Sequence, residues 1–111
     1  MKILDLKTMF DGLHIPVAYH HFPTSANVQL PFLAYQFPSN NPFYADGKNY
    51  GDGEVYDLDI RLCTETKDFA LEKQLEEILK ENEIPYLKTE TWIDSEFMFE
   101  ELYECEVLIH E

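Results

Sequence analysis

The chain has 111 residues and a mass of 13.1 kDa, the size of a single domain. Eight Lys and Arg stand against 22 Asp and Glu, a formal charge of −14, while the hydrophobic set makes up 45%. That apolar content excludes a disordered chain, and no run approaches the roughly 18 apolar residues of a membrane span. The excess of acid argues against a phosphate-neutralising nucleic-acid surface and against binding to anionic lipid.

Asp5 follows Met1-Lys2-Ile3-Leu4 before any signal-peptide apolar core can form, and Cys63 and Cys105 are too few for a disulfide scaffold. A reduced, cytoplasmic setting is the expectation. Ile3, Leu6, Met9, Phe10 and Leu13 recur at three- and four-residue steps, which predicts a short opening helix stopped at Gly12. Ile15-Pro16 bars its continuation. Val17 to Phe22 and Leu30 to Phe37 read as the first two strands, joined through the turn-rich Thr24-Ser25-Ala26-Asn27.

A long irregular stretch follows, from Pro38 to Gly53. It holds three of the four glycines and two of the six prolines, so regular structure is not expected there. It also carries Phe43, Tyr44 and Tyr50, aromatics that a plain spacer does not need. With Asn40, Asn41, Asp46 and Gly47, these three form the expected interface.

Glu54 to Thr64 alternates, with Tyr56, Leu58, Ile60 and Leu62 on one face and Asp57, Asp59 and Arg61 on the other. Asp68 is placed to cap a second helix running to about Asn82, with Leu71, Leu75, Ile78 and Leu79 as its apolar stripe and Glu and Lys opposite. Tyr86 to Ile93 and Met98 to Ile109 are the last strands, with Asp94-Ser95-Glu96 as a turn. Tyr103, Cys105, Val107 and Ile109 share one face of the final strand. Trp92, Phe97, Phe99 and Leu102 are candidates for whichever face the core does not use. The expected fold is α+β: a two-layer sandwich of two helices on a mostly antiparallel sheet, in the order αβββαββ, forming one domain over 1–111 with a loop at about 38–53.

No catalytic, cofactor or metal site is expected from the residues. His20 and His21 fall on a predicted strand and so point to opposite faces, unable to chelate one ion together. The Asp46 to Asp52 stretch lacks the alternating oxygen ligands of a calcium loop. Glu100, Glu101, Glu104 and Glu106 read as a solvated strand face, and both cysteines as buried structural thiols.

Several strings taken in order carry a family resemblance. They are Pro16-Val17-Ala18-Tyr19-His20-His21-Phe22, Pro31-Phe32-Leu33-Ala34-Tyr35, and Asn40-Asn41-Pro42-Phe43-Tyr44-Ala45-Asp46-Gly47-Lys48. Downstream come Leu71-Glu72-Lys73-Gln74-Leu75, Lys88-Thr89-Glu90-Thr91-Trp92-Ile93 and Tyr103-Glu104-Cys105-Glu106-Val107. Together these resemble small prophage proteins of Gram-positive bacteria encoded among head–tail connector and tail genes. The element order is similar to that of phage tail terminators, or tail-to-head joining proteins. The resemblance implies a structural protein without an active site that assembles as a hexameric ring. It also implies tail-tube or head-connector partners, and a place in the host cytoplasm during assembly and then at the head–tail junction. The competing reading is an acidic DNA mimic that inhibits a host nucleic-acid-binding protein.

Overall fold

A computed structural model describes residues 2–22, 28–38 and 54–109. It is an α+β arrangement with two helices and a five-stranded mixed sheet. Helix α1 spans Ile3–Asp11; strand β1, Val17–Tyr19; strand β2, Phe32–Gln36; and strand β3, Glu54–Thr64. Helix α2 spans Phe69–Glu81, strand β4 Tyr86–Ile93, and strand β5 Met98–Ile109. Asp94–Glu96 forms one turn of 3-10 helix between the last two strands.

Both helices begin where local chemistry supplies a cap. The Lys2 backbone N–H donates to the Asp5 carboxylate at 2.8 Å, and Asp68 Oδ1 accepts from the Leu71 N–H at 3.0 Å. Their ends differ from the simplest expectation. Gly12 stays right-handed, and the left-handed residue that turns the chain is His14. A Cβ at Gly12 would stand 3.2 Å from the Met9 carbonyl oxygen, so crowding accounts for the glycine there. After α2, Glu83 takes the left-handed conformation and the Ile84 N–H reaches back to the Leu79 carbonyl at 2.9 Å.

The spatial strand order is β1-β2-β3-β5-β4. Three of the pairings are antiparallel, as alternation suggests, but β1 and β2 run parallel with Val17 opposite Leu33 and Tyr19 opposite Tyr35. The mostly antiparallel expectation holds for three of the four pairings, and the parallel β1–β2 pair makes the sheet mixed. Periodicity reports which face a residue takes, not which way its strand runs. The stretch 20–31 is long enough to carry the chain back for a parallel neighbour, as a tight hairpin is not.

The core lies between the helices and one sheet face. Leu6, Phe10 and Leu13 from α1 and Leu71, Leu75 and Leu79 from α2 meet Leu33, Tyr35, Leu58, Ile60, Leu62, Tyr103, Cys105, Val107 and Ile109. Fully burying each large aliphatic side chain is worth about 1.5–3 kcal/mol. Ile78, expected on the same stripe, is only partly buried at its margin. Both helices pack on this face, so among the described residues no helix covers the other. This helix-free, bare face carries Gln36 of β2, Asp57, Asp59 and Arg61 of β3, Glu100, Leu102, Glu104 and Glu106 of β5, and Leu87, Thr89 and Thr91 of β4. Ala34, Cys63 and Met98 also lie on it but are buried, at the end where Phe22, Val28 and Phe32 gather.

Candidate functional site

The expected interface residues Asn40, Asn41, Phe43, Tyr44, Asp46, Gly47 and Tyr50 all lie outside the described residues. Three other features, which sequence reasoning either missed or read differently, converge on the β4 side and the bare face.

The first is an ionic cluster beneath α2. Cross-strand register puts Tyr86 opposite Cys105, Lys88 opposite Tyr103, Glu90 opposite Glu101 and Trp92 opposite Phe99, all on the helix side. Helix α2 lays Glu72 and Glu76 over them. Lys88 Nζ contacts Glu72 at 2.5 Å and Glu76 at 2.8 Å, and the Tyr103 hydroxyl donates to Glu76 at 2.8 Å. Lys67, just before the helix, contacts Glu72 at 2.8 Å and Glu101 at 3.1 Å, and also pairs with Glu90. Glu72 and Glu101 are almost wholly buried. Both read in the sequence as solvated acid. The missed signal is that a helix face of Glu and Lys can also be a buried lattice when the facing strand supplies opposite charge.

This environment separates the acids. Burial pushes the Glu101 carboxyl up to about 7, and a shared hydrogen bond with Glu90 adds to the rise. Glu90 is held below the usual carboxylate range by the hydrogen bond from Lys67 and then by the one from Glu101. Glu101 is therefore the member of the pair that keeps its proton toward the neutral range, beside an ionised Glu90. Burial acts to raise Glu76, but hydrogen bonds from Lys88 and Tyr103 outweigh it and hold this carboxyl low. Burial likewise acts to lower Lys67, and its carboxylate contacts, led by Glu72, reverse the sign.

Glu72, Glu90 and Glu101 each present a carboxylate oxygen within 4.8 Å of the others, a set that suits a hard cation by donor type. Lys67 Nζ contacts all three, so the lysine ammonium supplies the positive charge there. The chemistry of this cluster is the anchoring of β4, since Lys88 and Glu90 tie an edge strand to α2 and β5.

The second feature is a cleft of about 540 Å³ at one end of the bare face, lined by His20, His21, Phe22, Phe32, Arg61 and Glu100 among others. Here the histidine expectation is corrected. Strand β1 ends at Tyr19, and His20 takes a left-handed backbone at φ 69°, so the rings turn together instead of alternating. Their Nδ1 atoms stand 2.7 Å apart, one donating and the other accepting. Cys63 also lines the cleft. Burial, and next the Glu100 charge, push its thiol up to about 12; burial does the same to Cys105. Neither is the thiolate that nucleophilic chemistry requires.

The third feature is the free side of β4. Among the described residues no strand pairs with its outer edge, and seven of its eight positions are exposed, ending at half-buried Ile93. Leu87 is 66% exposed and Trp92 44%, with Phe97 at 71% just beyond. Trp92 packs edge-on to Phe99 at 4.8 Å, and Tyr86 to Tyr103 at 5.3 Å, so both rings are held in place. Of the four residues expected on the unused face, Trp92 and Phe99 stand on the helix side, Leu102 on the bare side, and Phe97 at a left-handed turn in solvent.

No family model matches the chain, and no curated protein matches it.

Proposed function

We propose that this chain is a structural protein of the phage head–tail connector or tail terminator type, acting through ring assembly and protein–protein contacts and not through catalysis. The observation that carries this reading is the one-sided sheet: a bare face and an exposed edge strand are surfaces that an assembly covers. The raised thiols, and an acid cluster whose carboxylates are engaged by Lys67 and Lys88, support a non-catalytic role. The stretch 39–53 would supply a further contact, and ring closure repeats each modest contact at every interface.

Replacing residues 40–50 by a short Gly-Ser segment tests this in a complementation assay. The expected result is an almost unchanged thermal midpoint with loss of particle assembly. Normal yield of infectious particles contradicts the reading.

A second reading keeps one specific observation in its favour. On the bare face Asp59 lies directly opposite Glu104. Like charges at such positions destabilise a strand pair. A basic partner surface would relieve them, as an acidic DNA mimic requires.

A further inference from the structure

The edge strand β4 has a self-complementary order of side chains, and we propose that it pairs antiparallel with β4 of a second copy across a two-fold axis at Thr89. An edge strand presents unpaired backbone N–H and C=O groups, and natural proteins blunt such edges with a proline, a bulge or charged side chains, which repel a second copy unless opposite charges meet. Pro85 stands just outside β4, and in the middle of the strand are one cation and one anion two positions apart, Lys88 and Glu90, a pair that a two-fold can match.

That spacing selects the register. With the axis perpendicular to the sheet, both copies keep their helices on the same side, and opposed residues must come from the same face. Placing Thr89 opposite itself sets Lys88 opposite Glu90, and Glu90 opposite Lys88. On the same helix-side face Tyr86 falls opposite Trp92, twice. On the bare face Leu87 falls opposite Thr91, with the two Thr89 hydroxyls at the centre. Every opposed pair is thus aromatic with aromatic, cation with anion, or small polar with aliphatic or polar, the combinations that favour strand pairing.

Slipping the strands by two residues removes this. One slip brings Glu90 against Glu90, and the other Lys88 against Lys88, each a like-charge clash. Charge complementarity therefore specifies both the partner, a second copy of this chain, and the alignment.

The side chains are already positioned for it. Lys88 and Glu90 are fixed by α2 and Lys67, while Tyr86 and Trp92 are packed on Tyr103 and Phe99. Little rotamer freedom remains to be lost on association. The contact is isologous and closes with two copies, so it neither requires the ring reading nor follows from it.

Single cysteines test the register. Residues directly opposite have Cβ atoms about 4.5–5.5 Å apart, near disulfide range, whereas diagonal neighbours lie about 7–8 Å apart. Thr89→Cys meets its own copy across the axis and should form a disulfide dimer under mild oxidation; Lys88→Cys should not. Both native cysteines are buried, and peptide mapping identifies the linked position. Light scattering of the unmodified chain in dilute solution, in salt that screens its −14 charge, should give twice the 13.1 kDa mass. Thr89→Lys, which sets two lysines face to face at an exposed site, should halve that mass with the circular dichroism spectrum unchanged.

A monomeric unmodified chain overturns the proposal, as does cross-linking of Lys88→Cys at the rate of Thr89→Cys. Six-fold rings that persist with Thr89→Lys overturn the two-fold edge contact and leave the ring reading standing. A dimer abolished by Thr89→Lys, with no larger species on imaging, supports the edge contact and contradicts the ring.

Discussion

Glu101, with no exposed surface, lies 3.1 Å from Lys67 Nζ, joining the first half of the last strand to the residues leading into α2. Removing one partner of such a contact strands a buried charge, which costs about 3–5 kcal/mol. Lys67 is itself about one-quarter exposed, so Lys67→Ala should fall at the lower end of that range at alkaline pH. Urea denaturation measures the loss.

The same variant makes a prediction about cations. With the ammonium gone, Glu72, Glu90 and Glu101 are left as three converging carboxylates. Millimolar calcium or manganese should then raise the thermal midpoint of Lys67→Ala while leaving the unmodified protein unchanged. Equal shifts for both would show that the lysine does not occupy the cation position.

Glu101 also sets a pH dependence with a definite sign. Its carboxyl sits at about 7 in the folded chain against 4.5 when free, so the native state holds the proton more tightly. Its contribution to stability is complete below about pH 4.5 and is lost as pH rises to about 7, by at most about 3 kcal/mol. Glu90, held low, contributes in the opposite sense above the ordinary carboxylate range and offsets part of this. Glu101→Gln mimics the protonated form. It should be more stable than the unmodified protein by about 1–3 kcal/mol near pH 8 and equal to it near pH 4.5. A variant less stable than the parent at the higher pH would contradict the raised Glu101 carboxyl.

Leu75 is fully buried in the middle of α2 against the sheet. Leu75→Ala should cost about 2–5 kcal/mol, read as a lower denaturation midpoint with an unchanged slope. An unchanged midpoint would mean that α2 does not carry the core.

Both thiols are buried and pushed up to about 12. Neither Cys63 nor Cys105 should react with an alkylating reagent at neutral pH in the native protein, and both should react in urea. Rapid labelling of Cys63 without denaturant would show that the cleft opens readily.

How much of this was readable from the sequence depended on whether the deciding physics was local. The bounds of β3, β4 and β5 and the Asp68 cap follow from alternation and capping within a few residues, and the structure places them as expected. The direction of β1 relative to β2 depends on where the chain returns after Tyr19, which alternation does not encode. The histidine pair depended on one left-handed residue, His20, that no composition rule requires. The burial of Glu72 and Glu101 was hidden because their partners, Lys67 and Lys88, come from other elements and meet them only in the fold. The matched spacing of Lys88 and Glu90 was visible in the sequence, but it acquires meaning only once β4 is known to be an edge.

The central claim, that this chain works by assembling into a ring, is tested most directly by light scattering with negative-stain imaging across a wide range of protein concentration. The expected result is a two-copy mass in dilute solution that grows with concentration, with closed rings in the images. A mass fixed at one or two copies at every concentration, with no rings and tight binding to a basic nucleic-acid-binding protein, would contradict it.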